Sequence, residues 1–128
     1  MEQSGHLAEV LSSAGNAYAF ARDVLRRPWL EAESVIAQDS FSAYAHAADV
    51  LHGPFPAGEP VIRRNPWWAN RYAEVVLNRP WPEAESVIAL DSTAAYYYAR
   101  DVLRLPGHEA EVWGARVRGS KKRRLSVE

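Results

Sequence analysis

At 128 residues, with 48% hydrophobic and 24% charged residues, the chain has the make-up of one ordinary globular domain rather than a disordered segment. It has no cysteine, which removes disulfides, thiolate catalysis and zinc-thiolate sites, and it has no apolar run near the ~20 residues of a membrane span. The formal net charge of -1 conceals a basic end, Arg118, Lys121, Lys122, Arg123 and Arg124 against Glu128, so the body is acidic and a poor generic polyanion surface.

The first residues, Met1 to His6, lack the basic and apolar regions of a signal peptide, so a cytoplasmic location is expected. Leu7, Val10 and Leu11, with Ser4 as a cap, have the spacing of a short amphipathic helix that covers one end of the downstream helices. Beyond it the chain repeats. Prolines stand at 28, 54, 80 and 106, a period of 26 residues without a slip.

Ahead of each proline lies a matching stretch: Ala17–Leu25, Ala43–Leu51, Ala69–Leu77 and Ala95–Leu103. Alanine, an aromatic or histidine, alanine, valine and leucine recur in each at i, i+3, i+4, i+7 and i+8, the apolar stripe of an amphipathic helix, here helix A. Asp39, Asn65 and Asp91 are expected N-caps, and Pro66 suits a first turn, so these helices should start near 40, 66 and 92. Gly53-Pro54 reads as a helix stop in which Gly53 takes the left-handed conformation.

The joint after each helix A is clearest in Asn78-Arg79-Pro80-Trp81-Pro82-Glu83-Ala84-Glu85-Ser86-Val87-Ile88. Pro56 and Pro82 fit the first turn of a helix B, and Glu83 and Glu85 lie against its positive dipole end. Ala84, Val87 and Ile88 form a face of about two turns, too short to persist without packing partners. After Pro106 the pattern departs: Trp-Pro is replaced by Gly107-His108, Val-Ile by Trp113-Gly114, and the last helix B runs to about Arg118. That is the behaviour of a terminal capping element.

The expected fold is therefore an all-α solenoid of about four helix hairpins, with repeat units at about 14–39, 40–65, 66–91 and 92–117 in a single domain spanning 1–118. Residues 119–128 read as a basic, flexible tail.

The residues Tyr72-Ala73, Val76-Leu77, Arg79-Pro80-Trp81-Pro82-Glu83-Ala84-Glu85 and Val87-Ile88 resemble short tandem-repeat proteins of phages and bacteria. The likeness covers about residues 17–111. That group has no assigned activity, so the resemblance implies a helical repeat protein of phage or mobile-element type that works by binding.

Glu33, Glu59, Glu85 and Glu111 recur in all four copies, and their regularity marks them as helix-start residues rather than as an active site. Paired glutamates such as Glu83 and Glu85 recur too often to be a single glycosidase dyad. His6, His46, His52 and His108 lack metal-ligand spacing, and His46 holds a stripe position given to Phe20, Tyr72 and Tyr98 elsewhere. No catalytic motif or cofactor fingerprint is present, so no enzyme, cofactor or metal is expected.

Function should lie where the repeat is broken. Trp67, Trp68, Asn70 and Arg71 replace Phe41, Ser42, Tyr44 and Ala45, and Tyr97 replaces the small residues Ala19 and Ala45. On the phase of helix A, Trp68, Arg71 and Glu74 point away from the core, so Trp67, Trp68, Asn70, Arg71 and Tyr97 are the expected anchors for a protein partner. The alternatives are nucleic-acid binding through Lys121, Lys122, Arg123 and Arg124, and self-association as a structural subunit. No membrane partner is expected.

Overall fold

In a computed structural model, residues 11–127 are described, with side chains through residue 120; the expected N-terminal capping helix and the Lys121 to Arg124 side chains fall outside them. Among the described residues every regular element is helical.

Helix starts follow from capping. Ser13, Asp39, Asn65 and Asp91 all have extended backbone, and each side chain accepts the N–H three residues on, at 3.1, 2.9, 3.0 and 2.8 Å. Each cap contributes about 1 kcal/mol. Three of these caps are legible in the sequence, and Ser13 extends the series one repeat earlier. The A-type helices they open are α1 (Ala14–Phe20), α3 (Ser40–Ala45), α5 (Pro66–Arg71) and α7 (Ser92–Asp101).

The A helices end wide. α1, α3 and α5 pass into π-helical turns at Ala21–Leu25, His46–Leu51 and Tyr72–Leu77, and α7 closes with Leu103 N–H reaching Tyr98 O. The chain then reverses through Arg26, His52, Asn78 and Arg104, all with φ between 52° and 61°. The sequence favours Gly53 for the left-handed position, yet His52 holds it, and no described glycine has positive φ. The widened turn brings the reversal one residue forward, so Gly53 N–H instead reaches back to Ala47 O at 3.1 Å. Left-handed backbone costs a non-glycine residue about 1–2 kcal/mol. A cation near a surface helix C-terminus recovers only about 0.3–1 kcal/mol.

The wide ending also alters the apolar stripe. Its first three positions are buried in α3, α5 and α7, but Val24 is 62% exposed, and Val76 and Val102 are half-buried. Val50, in the π turn after α3, stays buried, so the widened ending moves the later positions off the core face in some repeats and not in others.

The B-type helices are α2 (Glu33–Ile36, after a 3-10 turn at Leu30–Ala32), α4 (Glu59–Ile62, after Pro56–Gly58), α6 (Pro82–Ile88) and α8 (Gly107–Val127). Trp29, Phe55 and Trp81 sit at the start of the first three, where each carbonyl accepts the N–H three residues later at 3.0 Å. α8 continues past Gly119, where the sequence pattern predicts the end of the helix and the start of the tail.

The contacts resolve the chain into two compact units, Met1–Ile62 and Arg63–Glu128. In the first, α1 packs against α2 and α3, and α3 against α4. Alanines 17, 21, 32, 43 and 47 are fully buried, which lets backbones approach closely, while Ile36 and Ile62 supply the bulk. In the second, α5 packs against α6 and α7, and α8 lies along α7 and α6, with Ile88, Tyr72 and Tyr98 as the large buried side chains. Burying each isoleucine contributes about 1.5–3 kcal/mol.

An aromatic pair locks each A helix to its following joint. Ring centroids are 5.1 Å apart for Phe20 and Trp29, 5.1 Å for His46 and Phe55, and 4.9 Å for Tyr72 and Trp81. In the last repeat, where Trp-Pro is lost, Trp113 takes the role on Tyr98 at 5.1 Å. Gly114 makes this possible, because a Cβ there would lie 2.8 Å from Ala95 Cβ and hold α8 off α7.

Candidate functional site

Two of the recurrent glutamates, Glu33 and Glu85, find partners thirteen residues on, in the next A-type segment. In the second unit Tyr98 Oη accepts the Trp81 N–H at 2.9 Å and donates to Glu85 Oε2 at 2.6 Å. Burial first, and the glutamate second, push the Tyr98 phenol well above its ordinary range, so it stays a donor. In the first unit His46 stands in for tyrosine, with Nε2 3.4 Å from Glu33 Oε2. Its ring is fully buried and Nδ1 has no hydrogen-bond partner among the described residues. Burial holds the imidazole below its usual value, against an upward pull from Glu33. Glu33 and Glu85 thus act as joints between helices, with their carboxylates engaged rather than presented.

The residues that break the repeat are divided by the structure. Trp67 on α5 is 39% exposed, and Tyr97 on α7 meets it edge-on at 5.9 Å and 84°. Arg71 is half-buried and pairs with Glu74 at 2.7 Å. Trp68 is half-buried, its N–H taken by the Asn65 cap. Asn70 is only 2% exposed, so its side chain is not presented to solvent, and its Oδ1 has no hydrogen-bond partner among the described residues.

Three residues that the repeat pattern does not single out complete the surface around Trp67. Tyr96 meets Tyr97 at 5.6 Å, and the Arg100 guanidinium lies over both rings, 4.7 Å from the Tyr97 centroid and 5.4 Å from that of Tyr96. Asp101 holds Arg100 through two hydrogen bonds of 2.7 and 2.9 Å. Arg100 in turn keeps the Asp101 carboxyl below the usual range, with Arg71 and Arg104 adding to the effect. The result is an aromatic ridge with a fixed guanidinium, in which little side-chain entropy remains to be lost on binding.

The signal for these residues is present in the sequence as Tyr-x-x-x-Arg-Asp, which occurs at Tyr18 to Asp23 and again at Tyr96 to Asp101. In the first unit the same motif makes a comparable cluster. Arg22 lies 5.0 Å from the Tyr18 ring centroid and pairs with Asp23, and Phe41 meets Tyr18 edge-on at 6.2 Å. Tyr18 Oη donates to Asp49 Oδ2 at 2.6 Å. Burial and that carboxylate raise the Tyr18 phenol despite Arg22.

Among the described residues no three His, Asp or Glu side chains gather as metal ligands would, and no helix is long and apolar enough to cross a membrane. No family model, curated protein or solved structure matches the chain.

Proposed function

We propose that the chain is an α-solenoid of four 26-residue helix hairpins that works by binding a protein partner. The solenoid reading rests on local geometry that recurs at the sequence period: N-caps at 13, 39, 65 and 91, and left-handed residues at 26, 52, 78 and 104. The binding reading rests on one observation above the others. Trp67, Tyr97 and Arg100 form a part-exposed aromatic and guanidinium surface that helix packing alone does not require. A phage or mobile-element adaptor or inhibitor is the concrete version, in keeping with the resemblance of the joint motif to such repeat proteins.

The test is affinity capture from the source organism with wild-type protein beside a Trp67→Ala, Tyr97→Ala variant of unchanged helicity. Specific partners retained by the wild type and lost by the variant are expected. The same partners on both excludes this surface. A variant lacking residues 119–128 separates it from tail-driven nucleic-acid binding, because capture by the aromatic surface survives that deletion.

A further inference from the structure

The first unit carries a groove of about 200 Å3 between the last turns of the α1 and α3 helices. Buried Ala21 and Val50 form its floor, and Arg22, Arg26, Asp49 and His52 its rim. Two rim charges are already engaged. Arg22 holds Asp23 through Nε and Nη2 and donates to Tyr18 Oη through Nη1, and Tyr18 in turn donates to Asp49. The exposed side chains of Arg26 and His52 make no hydrogen bond among the described residues, although Arg26 lies close enough to Asp23 to help hold that carboxyl below its usual range.

Both of these side chains stand on left-handed backbone, each with φ 54°. Glycine or asparagine takes that conformation most easily, and the third repeat uses Asn78 there. The attraction of a cation to a helix end is no larger than the backbone strain. Arg104 holds the same position in the fourth repeat, so the conformation belongs to the joint, and what sets Arg26 and His52 apart is that both line one groove.

We propose that this groove binds a carboxylate, the acidic side chain of a peptide, held by the Arg26 guanidinium and a His52 ring N–H. Its volume lies below the ~300–1,000 Å3 of sites for whole small molecules, so it suits a single acidic group. Asp49 on the rim limits the negative charge the groove can accept, in keeping with one monoanionic carboxylate as the ligand. The proposal does not depend on the aromatic surface around Trp67.

The full chain is titrated with N-acetylglutamate α-amide, whose side chain carries its one carboxylate, at constant ionic strength and followed by 1H–15N correlation spectra, with inorganic phosphate as the comparison. Saturable shifts confined to amides of residues 21–26 and 49–53 are expected, with a Kd on the order of millimolar for one such group. An Arg26→Asn, His52→Asn variant keeps a residue that tolerates left-handed backbone, as Asn78 does, so its Tm should equal or exceed that of the wild type. Its affinity should fall at least about tenfold. Retained affinity in the variant overturns the proposal, as do diffuse or absent shifts in the wild type. A lower Tm in the variant overturns it too, by making the two side chains structural, and phosphate binding more tightly than the carboxylate overturns the choice of ligand.

Discussion

His46 makes the first unit sensitive to acid in a way its tyrosine-bearing counterpart is not. The imidazole is fully buried, Nε2 faces Glu33 at 3.4 Å, and Nδ1 has no acceptor among the described residues. A second ring proton would therefore be buried without a partner. The folded pKa is lowered from 6.5, so between 6.5 and that lower value the unfolded chain binds more protons than the folded one. Stability contributed by neutral His46 is thus fully present above 6.5, falls as the pH drops through it, and levels off below the folded value. One proton corresponds to about 1.4 kcal/mol per pH unit, so at most about 2 kcal/mol is lost by pH 5. Glu33 is the one neighbouring charge that opposes this, and it moderates the loss. The assay is urea unfolding by circular dichroism at pH 7.5 and 5.0, wild type against His46→Tyr. The variant should lose less stability on acidification, because tyrosine at this position can donate to Glu33 as Tyr98 does to Glu85. Equal losses in both proteins would refute a buried neutral imidazole.

Three further outcomes are expected. Gly58→Ala should destabilise by about 1–3 kcal/mol in urea melts, since its Cβ would sit 2.7 Å from the Phe55 ring and 2.8 Å from Ala43 Cβ; an unchanged midpoint means the joint is looser than it looks. Tyr98→Phe leaves the Trp81 N–H and the Glu85 carboxylate without their shared partner and should cost about 1–3 kcal/mol, read in the same way. Asp91→Ala removes the α7 cap and should cost about 1 kcal/mol, with faster amide exchange at Ala94 as its local signature.

The helix starts, the joints and the buried alanine positions are all legible as a period of 26 residues, because capping and amphipathic spacing are local properties that one stretch of chain carries by itself. Asp39, Asn65 and Asp91 need no knowledge of what they pack against. Other features depend on neighbours. The left-handed residue is His52 rather than Gly53 because the helix widens as it ends, and hydropathy does not register that widening. Glu85 can be read as a helix-start residue, but its hydrogen bond comes from Tyr98 across a helix packing. Trp113 replaces the missing joint tryptophan from within α8, seven residues beyond Pro106, and only the approach allowed by Gly114 brings it onto Tyr98. The candidate surface is half legible. Trp67 and Tyr97 stand out as breaks in the pattern, whereas Tyr96, Arg100 and Asp101 keep a spacing that looks structural until α5 and α7 lie side by side. Asn70 shares the same sequence signal as Trp67 and is buried, since a break in a repeat records a change of side chain and tertiary packing alone decides which way it faces. Sequence by itself thus determined where the helices begin and which residues recur; tertiary structure decided which of the exceptions meet one another, because that depends on distances between segments far apart along the chain.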